Sequence, residues 1–254
     1  MILKKSVKTS FANIYREPRF SSEMVTQALF LETLNVKSEH NNWFKVSQWD
    51  GYEGYVHKFY LCDYVDSGKE NTILTERLTP IYTSLNTSDI AMLAPFGTEV
   101  CSEQENDNWC SFMLESNRYY FQNKNSNNSQ MTRENIIKNA SLLVGSPYLW
   151  GGKTPFGYDC SGFIQQIFKS IKIFLKRDTS EQIKDDNFDS INICDVKQAD
   201  IVFFNFESKL VDHVGIFYGD NNVIHCSGNV KVQSLNDLQK NIVDVKSIES
   251  EIDG

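Results

Sequence analysis

Residues 148–171, YLWGGKTPFGYDCSGFIQQIFKSI, constrain the fold of this chain more than any other stretch. A loop with three glycines and Pro155 runs into Asp159-Cys160-Ser161-Gly162. Beyond it Phe163, Ile164, Ile167, Phe168 and Ile171 recur at the three-to-four-residue spacing of one apolar helix face. The pattern therefore sets Cys160 in the first turn of a buried helix. Unpaired N–H groups and the helix dipole stabilise an anion there, so a cysteine at that position can become a thiolate near neutral pH. The plainer alternative is a buried structural cysteine.

The other cysteines, Cys62, Cys101, Cys110, Cys194 and Cys226, are scattered and form no C-x-x-C pair. Reduced thiols are the expectation, although Cys101 and Cys110 could pair in an oxidising setting. A net charge of -8 favours neither nucleic acid nor an anionic membrane surface. No apolar run approaches the roughly 18 residues of a membrane span. The first residues, MILKKSVKTSFANIYREPRF, carry lysines with no apolar stretch behind them. This does not read as a secretory signal, which makes the cytoplasm the expected location, or the cell envelope if a leader was removed. With 254 residues, of which 41% are hydrophobic, the chain has material for one to three domains with ordinary cores.

Residues 1–66 read as short strands and turns: IYREP, QALFLETLNV, NNWFKVSQW and DGYEGYVHKFYL. Apolar and polar residues alternate, and Pro, Gly or Asn-Asn bound each run, as in a small β-barrel. The order resembles a bacterial SH3-like domain. Residues 67–125 repeat the theme less clearly, with LTPIYTS, IAMLAPFGTEV and NDNWCSFML. They are read as a second, degenerate SH3-like barrel. Residues 123–130, NKNSNNSQ, lack any apolar side chain and form the expected linker.

Residues 131–254 form the expected third domain. Thr132 is a candidate cap for a helix whose stripe is Ile136, Ile137, Ala140, Leu143 and Val144, ending at Gly145. After the Cys160 helix, residues 200–206, 213–219 and 222–227 read as strands. A turn at Asp220-Asn221-Asn222 joins the last two into a hairpin. Helices followed by an antiparallel sheet give an α+β fold.

Two of the four histidines, His213 and His225, follow Cys160 on adjacent expected strands. A cysteine at a helix start with histidines delivered by a following sheet is the layout of papain-like nucleophiles. One histidine would take the thiol proton and later protonate the leaving amine, and the other would fix the tautomer of the first. A zinc set of Cys160, His213, His225 and Cys226 is the competing grouping. Adjacent His225 and Cys226 would point to opposite faces of a strand, which argues against it.

The blocks YLWGG, TPFGYDCSGFIQ, RDTSEQ, KQADIVFF, DHVGIFYG and VIHCSG stand in this order over residues 131–245. In this the C-terminal part resembles the NlpC and p-sixty family of bacterial cell-wall cysteine peptidases. With SH3-like domains ahead of it, the chain resembles the γ-D-glutamyl-L-diamino acid endopeptidases that process murein peptides. The resemblance implies Cys160 as nucleophile, His213 as general base and His225 as the orienting third residue. Tyr148 would lie near the oxyanion, beside the backbone N–H of Cys160. Asp159, Ser161 and Ser180 would hold the L-Ala-γ-D-Glu part of the substrate, and Asp159 would grip a free α-amine. Glu32 and Tyr52 would close the site from the first SH3-like domain. No metal or cofactor is implied.

Some positions depart from the family pattern: Tyr55 stands where Trp is usual, and Cys226 where a small residue is common. The leading expectation is an intracellular peptidase that trims free murein peptides. The alternatives are an exported hydrolase of intact wall and an inactive wall-peptide binding protein.

Overall fold

Short runs of alternating apolar and polar residues make strands the dominant element of the N-terminal half. The computed structural model describes residues 3–65, 71–122, 130–207 and 210–248. Most of the expected linker, residues 123–129, and the junction at 66–70 lie outside the described residues. By contacts the chain divides into two units, Met1–Asn127 and Asn128–Gly254.

In the first unit, β1 (Lys4–Val7), β2 (Phe11–Tyr15), β3 (Met24–Leu29), β4 (Thr33–His40), β5 (Trp43–Ser47), β6 (Glu53–His57) and β7 (Leu61–Asp63) form one antiparallel sheet. Its order is β3-β2-β6-β5-β4-β1-β7. The inward residues Val7, Ala12, Ile14, Ala28, Leu34, Phe44, Val46, Val56 and Leu61 form its core. The expected barrel is therefore open in its hydrogen bonding, with β3 and β7 as edges among the described residues.

The rest of this unit comprises β8 (Asn71–Ile73), β9 (Leu78–Tyr82), β10 (Ile90–Pro95), β11 (Glu99–Cys101), β12 (Glu103–Asn106), β13 (Trp109–Leu114) and β14 (Asn117–Gln122). Five of these strands pair in the order β10-β9-β14-β13-β12, and β11 pairs with β8. β9 pairs with β10 and meets β14 at Tyr82 and Tyr120, just as β2 pairs with β3 and meets β6 at Tyr15 and Tyr55. Phe30, in the turn after β3, and Cys62 of β7 share a core with Ile81, Val100, Phe112 and Phe121.

The second unit is α+β. Its elements are α1 (Arg133–Leu142), the small hairpin β15 (Lys153–Thr154) and β16 (Gly157–Tyr158), α2 (Cys160–Ser170) and α3 (Thr179–Gln182). Then come β17 (Asp189–Ser190), β18 (Ile201–Phe204), β19 (His213–Gly219), β20 (Asn222–Ser227), β21 (Asn229–Ser234), α4 (Leu235–Leu238) and β22 (Ile242–Ser247). The antiparallel sheet runs β17-β22-β18-β19-β20-β21. Thr132 caps α1 by accepting the Asn135 N–H. Val144, expected in the apolar stripe, is exposed instead, because the helix ends before it. The turn between β19 and β20 has Asp220 and Asn221 at φ 49° and 57°. These left-handed values match a two-residue hairpin whose twist suits the strands. The expected strand at 200–206 is shorter, Ile201–Phe204. Among the described residues no helix is long and apolar enough to cross a membrane.

Candidate active site

Every residue of α2 is buried, so its start is fixed by packing on all sides. Asp159 caps it, its Oδ1 accepting the Gly162 N–H at 2.7 Å. Gly162 leaves room for that turn: a Cβ there would lie 2.2 Å from the Gly152 carbonyl oxygen and 2.8 Å from Asp159 Oδ1. Cys160 is thus held as the first helical residue, at 9% exposure. Among the described residues its N–H has no hydrogen-bond partner, as expected for an orphan donor at a helix start. Its Sγ lies 3.9 Å from Thr179 Oγ1 and 4.0 Å from the Asp212 carbonyl oxygen.

The expected thiolate is not what this environment favours. Burial, and next the Asp159 carboxylate, push the Cys160 thiol up to about 11. The Thr179 hydroxyl, the Ser161 N–H and Arg177 pull it down, but by less. The resting sulfur is a thiol that needs a base.

The Asp212 carbonyl that approaches Sγ leads directly into His213 on β19. His213 Nε2 and His225 Nδ1 are 2.7 Å apart, with ring centroids at 5.0 Å and planes at 85°. Gly215, opposite His225 in the ladder, makes this approach possible: a Cβ there would lie 3.1 Å from His225 Cβ and 2.5 Å from Val223 Cγ1. His225 Nε2 in turn meets Gln233 Oε1 at 3.1 Å. Phe206 covers His213, with centroids at 5.2 Å. Burial, and next His225, lower His213 to about 3, and burial lowers His225 to about 4. Both rings are therefore neutral, and a neutral imidazole has one nitrogen free to accept a proton. No hydrogen bond joins Sγ to His213 among the described residues.

Cys226 turns the other way and donates to the Tyr158 carbonyl at 3.1 Å, as strand alternation requires. With both nitrogens of His225 engaged, the four-residue zinc grouping is not assembled. Among the described residues no three His, Cys, Asp or Glu side chains are grouped to hold a metal.

Arg177, 1% exposed, grips Asp159 through Nη1–Oδ1 at 3.0 Å and Nη2–Oδ2 at 2.5 Å, and donates to Ser161 Oγ at 2.8 Å. Asp159 Oδ2 also accepts the Gly151 N–H at 2.9 Å. The carboxylate expected to hold a substrate amine is thus already engaged on both oxygens. Tyr148 is raised to about 12, by burial first and then by Cys160 and Asp159, so its hydroxyl keeps its proton as a donor.

Ser180 is exposed, and the buried Thr179 is the α3 residue that reaches the sulfur. Gln182 ties α3 to α2 by donating to the Ser161 carbonyl at 3.1 Å. Glu32 and Tyr52 belong to the first unit. There Glu32 accepts from Gln48 Nε2 and the Leu29 N–H, and the Tyr52 N–H donates to Asp50 Oδ1.

Residues 145–247 match the model of the NlpC/P60 family, and residues 10–61 match that of the bacterial SH3 domain. The chain carries an NlpC/P60 domain behind a bacterial SH3 domain. It is a cysteine peptidase of that type. A Bacillus subtilis protein named gamma-D-glutamyl-L-lysine dipeptidyl-peptidase is 28% identical over 229 residues, covering 79% of this chain and 71% of that one. Dipeptidyl-peptidase 6 of Lysinibacillus sphaericus is 23% identical and spans 89% of each chain. A crystal structure of an NlpC/P60 family protein from Bacillus cereus superposes with a TM-score of 0.85, at 20% identity, over 96% of this chain and 99% of that one. This likeness shows the shared fold, papain-like helices packed on an antiparallel sheet.

Three residues of the NlpC/P60 domain site were not foreseen in the sequence: Thr179, Arg177 and Gln233. Thr179 and Arg177 flank Asp178 in the RDTSEQ block, and the short distance from that block to the cysteine helix was the available signal.

Proposed function

We propose that this chain is a cysteine endopeptidase that cleaves the bond between γ-D-Glu and a diamino acid in murein peptides. The observation that carries the reading is a buried thiol at a helix start beside two neutral, mutually hydrogen-bonded histidines. The names of the Bacillus subtilis and Lysinibacillus sphaericus relatives support the substrate class.

Cys160 Sγ attacks the γ-carbonyl carbon of D-Glu while His213 takes the thiol proton. The carbonyl oxygen becomes an oxyanion, held by the Cys160 N–H and the Tyr148 hydroxyl. The C–N bond then breaks, and the imidazolium of His213 gives its proton to the departing amine. The acyl group remains on sulfur as a thioester. Water, deprotonated by the same imidazole, attacks that thioester and frees the γ-carboxylate and the thiol. His225 holds the His213 ring throughout.

Ser161 and Ser180 are the proposed contacts for the L-Ala-γ-D-Glu part. Residues 67–125 are proposed as a second SH3-like domain, which the repeated pairing at Tyr15–Tyr55 and Tyr82–Tyr120 supports. Because Arg177 engages Asp159, an α-amine would share that carboxylate rather than own it.

The test is incubation with L-Ala-γ-D-Glu-meso-diaminopimelate and with its N-acetylated form, read by mass spectrometry. Cleavage of the free-amine peptide alone, lost in Cys160→Ala, supports free murein peptides as substrate. Equal cleavage of both removes the amine requirement. Two intact peptides sink the reading.

A further inference from the structure

We propose that Gln233 is a positioning residue: its amide oxygen orders the protons along the His225–His213 pair and leaves His213 Nδ1 as the base. The inference rests on the proposed role of His213, but it has a readout of its own.

The order follows from two hydrogen bonds. Gln233 Oε1 faces His225 Nε2 at 3.1 Å, and His225 Nδ1 faces His213 Nε2 at 2.7 Å. An amide oxygen can only accept, so His225 carries its proton on Nε2. A neutral ring protonated there has its lone pair on Nδ1, and that lone pair accepts from His213. His213 must then be protonated on Nε2, which leaves its Nδ1 lone pair free. The reverse order would put a proton on His213 Nδ1 and block acceptance of the thiol proton. A single acceptor at the far end of the relay decides between the two.

Strand register supplies that acceptor. In the β20–β21 ladder, Lys231 stands opposite His225 and Gln233 opposite Val223. Gln233 is therefore the diagonal neighbour of His225 on the same face, within reach of a long side chain. Lys231, the nearer residue in register, is a cation with donors only and cannot fill the role. Both histidine rings are buried, so bulk water is a poor substitute for the amide. When His213 takes the thiol proton, its Nε2–H still donates to His225, and the chain of acceptors ends on the Gln233 carbonyl. The imidazolium is then stabilised by oriented dipoles rather than by a carboxylate.

The test uses the full chain and two variants, Gln233→Leu and Gln233→Glu. Two-bond 15N–1H correlation spectra of the ring nitrogens read the tautomers directly. Wild type is expected to show Nε2–H on both His213 and His225. Gln233→Leu is expected to show a tautomer mixture and a kcat reduced about 10- to 100-fold, the scale seen when a supporting partner of an essential histidine is lost, with KM changed less than about twofold. Gln233→Glu keeps an acceptor, and its kcat is expected to recover to within about threefold of wild type.

A wild-type spectrum with His225 protonated on Nδ1 overturns the proposal whatever the activity. So does a Gln233→Leu protein that retains both the tautomers and kcat. If Gln233→Leu fails to fold, the wild-type spectrum and Gln233→Glu still decide. If no peptide is cleaved at all, the spectra judge the proton order apart from the substrate reading.

Discussion

Replacing Arg177 by Met tests how much the buried Asp159–Arg177 pair holds the start of α2. The arginine is 1% exposed, and its loss removes two bonds to the carboxylate, at 3.0 and 2.5 Å, and one to Ser161. Breaking a buried pair from one side costs about 3–5 kcal/mol, because the remaining charge is left uncompensated. Asp159 keeps two backbone donors, Gly162 N–H at 2.7 Å and Gly151 N–H at 2.9 Å. Each charged hydrogen bond of this kind is worth roughly 1.5–3 kcal/mol, so the expected loss falls at the lower end, near 3 kcal/mol.

Urea unfolding monitored on the NlpC/P60 domain reads the change. At a slope of about 1–3 kcal/mol per molar, the midpoint should fall by about 1–3 M. The double variant Arg177→Met/Asp159→Asn removes the stranded charge and should recover at least about 1 kcal/mol. Arg177→Lys keeps a charge but loses the bidentate fork, and should lie between wild type and Met. An Arg177→Met loss under about 1 kcal/mol, or a double variant no better than the sum of the singles, would refute the assignment.

Three further outcomes are expected. Cys160 alkylation by iodoacetamide should accelerate through alkaline pH, since burial and Asp159 raise the thiol to about 11; a rate that plateaus below pH 7 would instead indicate a resting thiolate. His213 and His225 are lowered from 6.5 to about 3 and about 4, so their contribution to stability is complete above pH 6.5 and is lost as pH falls towards those values, because the unfolded chain binds protons that the folded one refuses. Between pH 6.5 and 5 this amounts to roughly 2 kcal/mol per histidine, and a His213→Gln/His225→Gln protein should lose that dependence. Gly215→Ala should lower kcat at least about 10-fold, because the new methyl meets Val223 and His225 and displaces the ring pair; a fully active variant would contradict this packing.

The elements that carry the site were legible where local pattern decides structure. The apolar stripe behind Cys160 gave α2, and Asp220-Asn221 gave the hairpin that sets His213 and His225 on neighbouring strands. What escaped depends on distant partners. An arginine in RDTSEQ reads as solvated, and its burial becomes visible only once Asp159, eighteen positions earlier, faces it. Thr179 meets the sulfur because of the phase of a four-residue helix, too short to show periodicity. Gln233 needs the β20–β21 register, which one strand alone does not specify. The thiol is raised rather than lowered because desolvation of a nearly enclosed sulfur, invisible in one helix's pattern, outweighs the helix terminus. Closure of the first sheet likewise rests on whether its edge strands meet, and β3 and β7 do not pair.

The most direct measurement is acid-quenched mass spectrometry of the full chain mixed with L-Ala-γ-D-Glu-meso-diaminopimelate, followed by peptide mapping. The expected result is a transient L-Ala-γ-D-Glu acyl group on the peptide containing Cys160, together with released diaminopimelate. Released diaminopimelate with the acyl group on another residue, or a chain that neither acquires the group nor cleaves the peptide, would contradict it.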